Sequence, residues 1–189
     1  MKNLILIIAL LLSNLLLAQD EPKLPYNEIP EYSEEFTAGT MAARMIDALG
    51  FRYYWASDSL TVKDLEYKAN EEGRSTEATI KHIYDLSKII VNSTLKEPNT
   101  SRGKEELSYE AMRAKTLTNL KTAADILRES DDISQFKIIF GEQEIPFWNQ
   151  VNGPIADAIW HCGQIVIYRR TTGNPINPKV NHFTGKVRK

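Results

Sequence analysis

Cysteine is nearly missing from this chain: Cys162 stands alone among 189 residues. A single thiol excludes an intramolecular disulfide and any zinc ribbon built from cysteine pairs. Histidine is scarce as well, with three in all. There is no basic excess, since 23 Lys+Arg face 25 Asp+Glu for a formal net charge of −2, which argues against a nucleic-acid partner. No Gly-x-Ser-x-Gly elbow of a serine hydrolase occurs. Internal repeats are absent too. What is present is ordinary globular composition, 42% hydrophobic and 25% charged. That suffices for one sizeable core and is too short for two comfortable domains. Any chemistry has to come from His, Asp/Glu and hydroxyl side chains.

Met1-Lys2-Asn3 followed by the apolar stretch Leu4 to Leu17 is too short for a membrane span, which needs about 20 apolar residues. It has the form of a secretory signal, with cleavage expected between Ala18 and Gln19. Leu16, three residues before that cut, is larger than the usual small residue. The implied product is periplasmic or secreted, without stable membrane association once the signal is removed. No cysteine stands directly after the apolar stretch, so a lipid anchor is not expected. Cys162 is then expected to be buried or free rather than paired.

The expected organisation is a signal at 1–18, an extended arm at 19–32, a helical body at 33–175 and a basic tail at 176–189. Pro22, Pro25 and Pro30 make the arm extended. A first helix is predicted over Ser33 to Ala56, with Ala38, Ala42, Met45, Ile46, Leu49 and Tyr53 on one face. A polar crossover follows, with one short turn around Val62 to Leu65. Ser75 is a good N-cap for a second helix running to Val91, and Ser108 starts a third that continues to Glu129. Phe136 to Ile145 reads as a hairpin. A fourth helix starts at Asn152-Gly153-Pro154, where proline suits the first turn, and ends near Gly173. The fold class is therefore all-α: a four-helix bundle with long crossover connections and a short hairpin before the last helix.

The fourth helix carries the chemistry. At 100° per residue, Asp157, His161, Gln164 and Tyr168 fall in one stripe. The rest of 154–168 is apolar or small, which predicts a buried helix whose polar stripe faces a cleft. Asp157 and His161 at i and i+4 can converge on one ion, or simply satisfy each other. On the second helix, Ile80, Ile83, Leu86 and Ile90 make the core face, and His82 stands on its border, away from the solvated face of Glu77, Lys81, Asp85 and Lys88. Two histidines and one carboxylate with open positions form a recognised site for zinc or another divalent metal. The candidate ligands are His82, Asp157 and His161. Gln164 and Tyr168 extend the stripe as support, with Gln164 assigned as the side chain that assists catalysis. Tyr53, Tyr54 and Trp55 are read as core, Asn149 and Asn152 as caps, His182 as a surface-loop residue, and Cys162 as a buried inert thiol.

Three segments resemble the DinB-like four-helix-bundle superfamily, which includes YfiT-like thiol transferases. They are the opening MAARMIDALGFRYYWA with its SLTVKDLEYKANEEGRS crossover, the segment STEATIKHIYDL, and GPIADAIWHCGQIVIYRRTTGNP. The resemblance covers about Phe36 to Pro175. It implies metal binding, with His82 at the family's first ligand histidine and His161-x-Gly163-Gln164 at its His-x-Gly-Gln. Asp157 departs from the pattern, standing where the family carries a histidine. Two functions stay open. One is an exported metal-dependent hydrolase or thiol transferase acting on a small-molecule substrate, with zinc, nickel, manganese or iron as the divalent ion. The other is a non-catalytic small-molecule-binding or stress-associated bundle in which the Asp–His pair is structural. A second copy of the chain is a candidate partner.

Overall fold

The computed structural model describes residues 23–100 and 106–189, so the expected leader and its cleavage point lie outside the described residues. Four long helices carry the fold: α1 (Ala38–Ala56), α3 (Thr76–Leu95), α4 (Tyr109–Arg128) and α5 (Ala156–Thr172), with the short α2 (Val62–Glu66) in the first crossover. The chain is mostly helical, compatible with an all-α bundle. One main core joins the four, including Ile46, Leu49 and Tyr53 of α1, Ile80 and Ile83 of α3, Leu117 and Leu120 of α4, and Ile165 of α5.

The helix starts follow local hydrogen-bond chemistry. Ser75 and Ser108 accept the orphan N–H groups of Ala78 and Ala111. α1 begins at Ala38 rather than Ser33, because Thr37 and Thr40 close a capping box at that point. As a result Ala38, expected on the core face, is exposed. α3 runs four residues past the expected Val91 to Leu95, with Lys96 closing it in the left-handed region. Asn92, Ser93 and Thr94 read as loop residues. Instead Ser93 and Thr94 are buried, and the Thr94 hydroxyl donates to the Val91 carbonyl.

The hairpin is where expected: β1 (Ile138–Phe140) pairs antiparallel with β2 (Gln143–Ile145), turning through Gly141 at φ +58°. The last helix begins differently. Helical backbone already starts at Trp148–Gln150, widens to a π-type turn over Val151–Ile155, and only then becomes α5. Gly153 leaves the helical region (φ −96°, ψ −110°) just before Pro154, so the proline sits at a kink rather than opening a free helix end. The expected caps are therefore absent: Ile155 precedes α5 without a side-chain cap, and Asn149 reaches only the Pro146 carbonyl.

The two ends clasp each other over α1. The arm turns at Tyr26 (φ +73°), and the Tyr26 ring lies against Gly50, where an added Cβ would come within 2.4 Å of it. The C-terminal residues form a second small hairpin, β3 (Val180–Asn181) with β4 (Lys186–Val187), rather than a free tail. The Ile29 N–H donates to the Gly185 carbonyl, and Ile29 and Val180 pack with Phe51 and Trp55 in a second small core.

Candidate metal centre

α3 and α5 place the site. His82 follows the buried Ile80 and precedes the buried Ile83, which fixes its azimuth at the border of the core face. Ser75 caps that helix two turns earlier, and the ion pairs of Asp85 with Lys81 and Lys88 hold its wet side outward. On α5, Asp157 lies in the first turn, where the helix dipole favours a carboxylate. His161 stands one turn on, between core positions Ala158 and Ile165.

The three side chains meet. His82 Nε2 is 2.9 Å from Asp157 Oδ2, and His161 Nε2 is 3.4 Å from Asp157 Oδ1. The two imidazoles touch edge to face, centroids 4.8 Å apart at 89°. One ligand atom from each residue lies within 4.8 Å of the others. Ligand atoms about 2.1 Å from a shared tetrahedral ion stand about 3.4 Å apart, so the set needs only small adjustment to close on one centre. The centre is half-buried: side-chain exposures are 30% for His82, 39% for Asp157 and 20% for His161. That leaves one side open to solvent and small molecules.

A further contact bears on whether a cation fits. His161 Nδ1 donates to Gln164 Oε1 at 2.8 Å, and Gln164 Nε2 donates to the Tyr168 hydroxyl at 2.7 Å. With the proton on Nδ1, a neutral His161 turns the Nε2 lone pair toward the Asp157 carboxylate. Two electron-rich atoms facing each other at 3.4 Å repel unless a proton or a metal cation lies between them. Two imidazole nitrogens and a carboxylate, with no cysteine, form a donor set that suits zinc and the neighbouring divalent metals. The residues fit the group.

Beside the centre, a groove of about 520 Å³ runs along α5, lined by Trp160, His161, Gly163, Gln164, Ile167 and Tyr168. It corrects the expectation of a buried fourth helix. The inner face of α5 is buried through Ala158, Cys162 and Ile165, but Trp160 and Ile167 are 80% and 60% exposed. Absence of charge on a helix therefore did not mean burial on every side. Cys162 is buried as expected, and burial pushes its thiol up to about 12, so it stays protonated and inert. Tyr53 and Trp55 are core, and His182 sits on the surface with its ring edge on Phe51.

Other residues near the site went unseen in the sequence. Arg169 is buried at the end of α5 and donates to the carbonyls of Trp55 and Ala56, tying α5 to the end of α1. Asp64 of α2 accepts from Thr172 and Asn174, anchoring the crossover to the same end of α5. Arg169 is signalled only as a charge after the apolar stretch of the last helix, and Asp64 only as the acidic end of the Thr61-x-x-Asp64 capping box. Compared with protein-family models, with curated proteins and with solved structures, the chain matches none of them.

Proposed function

We propose that this chain is an exported DinB-like protein whose half-buried centre holds one divalent metal through His82, Asp157 and His161, and that it is a hydrolase or transferase for a small substrate. The observation that carries the reading is the convergence of three ligand-type side chains from helices 75 residues apart. A lone i,i+4 pair would be unremarkable; a third ligand arriving from α3 is not required by the pair. The order of the helices, the long crossover after α1 and the His161-Cys162-Gly163-Gln164 segment support the family assignment. A divalent ion there would supply Lewis acidity, polarising a substrate oxygen and acidifying a water or thiol brought to it.

This chain's own residues would orient that chemistry. His82 and His161 supply neutral donors, Asp157 offsets positive charge, and the groove along α5 admits the substrate from solvent. A thiol-transferase reaction would need an external thiol, because Cys162 is buried with its proton held tightly. The N-terminal signal pattern supports a periplasmic or secreted location. Among the described residues, no helix is long and apolar enough to cross a membrane.

The test is elemental analysis of untagged protein, followed by titration of metal-free protein with zinc, nickel and manganese. The expected result is one ion per chain, lost on replacing His82 by Ala. No uptake of any of these ions would leave the His82–Asp157 hydrogen bond as a structural pair and favour the non-catalytic binding bundle.

A further inference from the structure

Gln164 is the side chain assigned to assist the reaction, but its contacts describe a different task. Both ends of its amide are occupied within α5: Oε1 by the His161 Nδ1–H at 2.8 Å and Nε2 by the Tyr168 hydroxyl at 2.7 Å. An amide spanning i−3 and i+4 neighbours on its own helix is held in a fixed place, with one N–H and one oxygen lone pair left over. Tyr168 is itself held. It is buried, and its ring meets Tyr67 edge to face with centroids 5.2 Å apart. Tyr67 closes α2, and its carbonyl accepts from the Thr76 N–H that opens α3. A continuous set of contacts thus runs from the crossover through Tyr67, Tyr168 and Gln164 to His161.

We infer that Gln164, held in place by Tyr168, is a positioning residue that keeps the His161 proton on Nδ1 and leaves Nε2 as the ligand atom facing Asp157. The inference rests on the metal-centre reading for its purpose but not for its geometry. A neutral imidazole has one donor and one acceptor nitrogen, and the partner of one nitrogen sets the role of the other. In a protein without ion, a proton on Nε2 would find the Asp157 carboxylate at 3.4 Å, so the competing tautomer has a partner available. The acceptor at 2.8 Å opposes that shift and presents the lone pair before any ion arrives. Tyr168 holds the far end of the Gln164 amide by accepting from Nε2 at 2.7 Å, which keeps the side chain beside His161. Support of this kind behind a ligating histidine is worth about 10–100-fold in metal affinity.

The test uses the mature chain labelled with ¹⁵N-histidine, freed of metal and held at about pH 8.5, above the ordinary histidine range. Long-range proton–nitrogen spectra report the tautomer of His161 in wild type, Gln164→Leu, Gln164→Glu and Tyr168→Phe. Zinc affinity of each is measured by competition with a chelator. Wild type is expected in the Nδ1–H form. Gln164→Leu should give a mixture or the Nε2–H form and bind zinc about 10–100-fold more weakly. Gln164→Glu, which can only accept, should restore both properties, and Tyr168→Phe should lie between. A wild-type His161 protonated on Nε2 overturns the inference, as does a Gln164→Leu protein with unchanged tautomer and zinc affinity. Should wild type take up neither zinc, nickel nor manganese, the metal-centre reading fails and the tautomer spectra alone judge the role of Gln164.

Discussion

Replacing Asp157 by Ala separates a metal centre from a structural pair, because the two assign different sizes to the same loss. Asp157 joins both histidines, at 2.9 and 3.4 Å, with 39% of its side chain exposed. Without metal, partly exposed pairs of this kind contribute about 0–1 kcal/mol each. The variant should therefore lose about 1 kcal/mol and at most about 2, or a few degrees in Tm at 2–4 °C per kcal/mol for a chain of this size. With zinc at about 100 times its Kd, wild type gains about 2.7 kcal/mol by mass action, which raises its Tm by about 5–10 °C. A centre lacking its only carboxylate should gain little at that concentration. The wild-type-to-variant gap should then widen from about 1 kcal/mol in chelator to about 4 kcal/mol in zinc. Thermal unfolding followed by circular dichroism, with each protein in chelator and in zinc, makes the comparison. A wild type indifferent to zinc, or a variant raised by the same number of degrees, refutes the reasoning.

Gly39 faces the carbonyl oxygens of Leu127 and Ser130, each 2.4 Å from where a Cβ would stand. Gly39→Ala should cost about 1–3 kcal/mol by denaturant unfolding, the backbone clash outweighing the usual helix gain of about 1 kcal/mol. Asp64 supplies a pH dependence. Its burial alone would raise its pKa, but hydrogen bonds from Thr172, Asn174 and Thr61 prevail and hold it at about 2, below the ordinary aspartate value. A carboxyl depressed in the folded state stabilises above its unfolded pKa and loses that contribution as pH falls toward the folded one. The stability difference between wild type and Asp64→Asn, roughly 2 kcal/mol at neutral pH, should accordingly shrink between about pH 4 and pH 2. A constant difference across that window in acid titrations would contradict it.

Much of the bundle was legible in one dimension because its causes are local. Ser75 and Ser108 cap α3 and α4 from within their own first turns, so three or four residues suffice to read each start. The faces of α3 and α4 follow the helical repeat, and Ile80, Ile83, Leu117 and Leu120 are fully buried as that repeat requires. The stripe of Asp157, His161 and Gln164 belongs to a single helix, so its alignment is a property of spacing alone. Errors arose where local preference was overruled. Ser93 and Thr94 have loop-like side chains but are buried at the end of α3, where their hydroxyls turn inward. Gly153-Pro154 suggests a helix start, yet the helical path already under way from Trp148 carries through it as a kink.

By itself the sequence determined the helices, their apolar faces and three residues able to bind metal, because capping and periodicity depend only on near neighbours. Only the tertiary structure decided that His82 reaches Asp157 across 75 residues, since that depends on how α3 and α5 cross. It also decided that α5 is buried on one side only, leaving Trp160 and Ile167 in solvent. An apolar side chain carries its own transfer free energy wherever it stands, but whether a neighbour arrives to cover it is a property of the assembled layers. The same holds for Arg169 and Asp64. Their charges are visible in the sequence, while the carbonyls and hydroxyls that satisfy them come from distant segments and exist as partners only once the chain has folded.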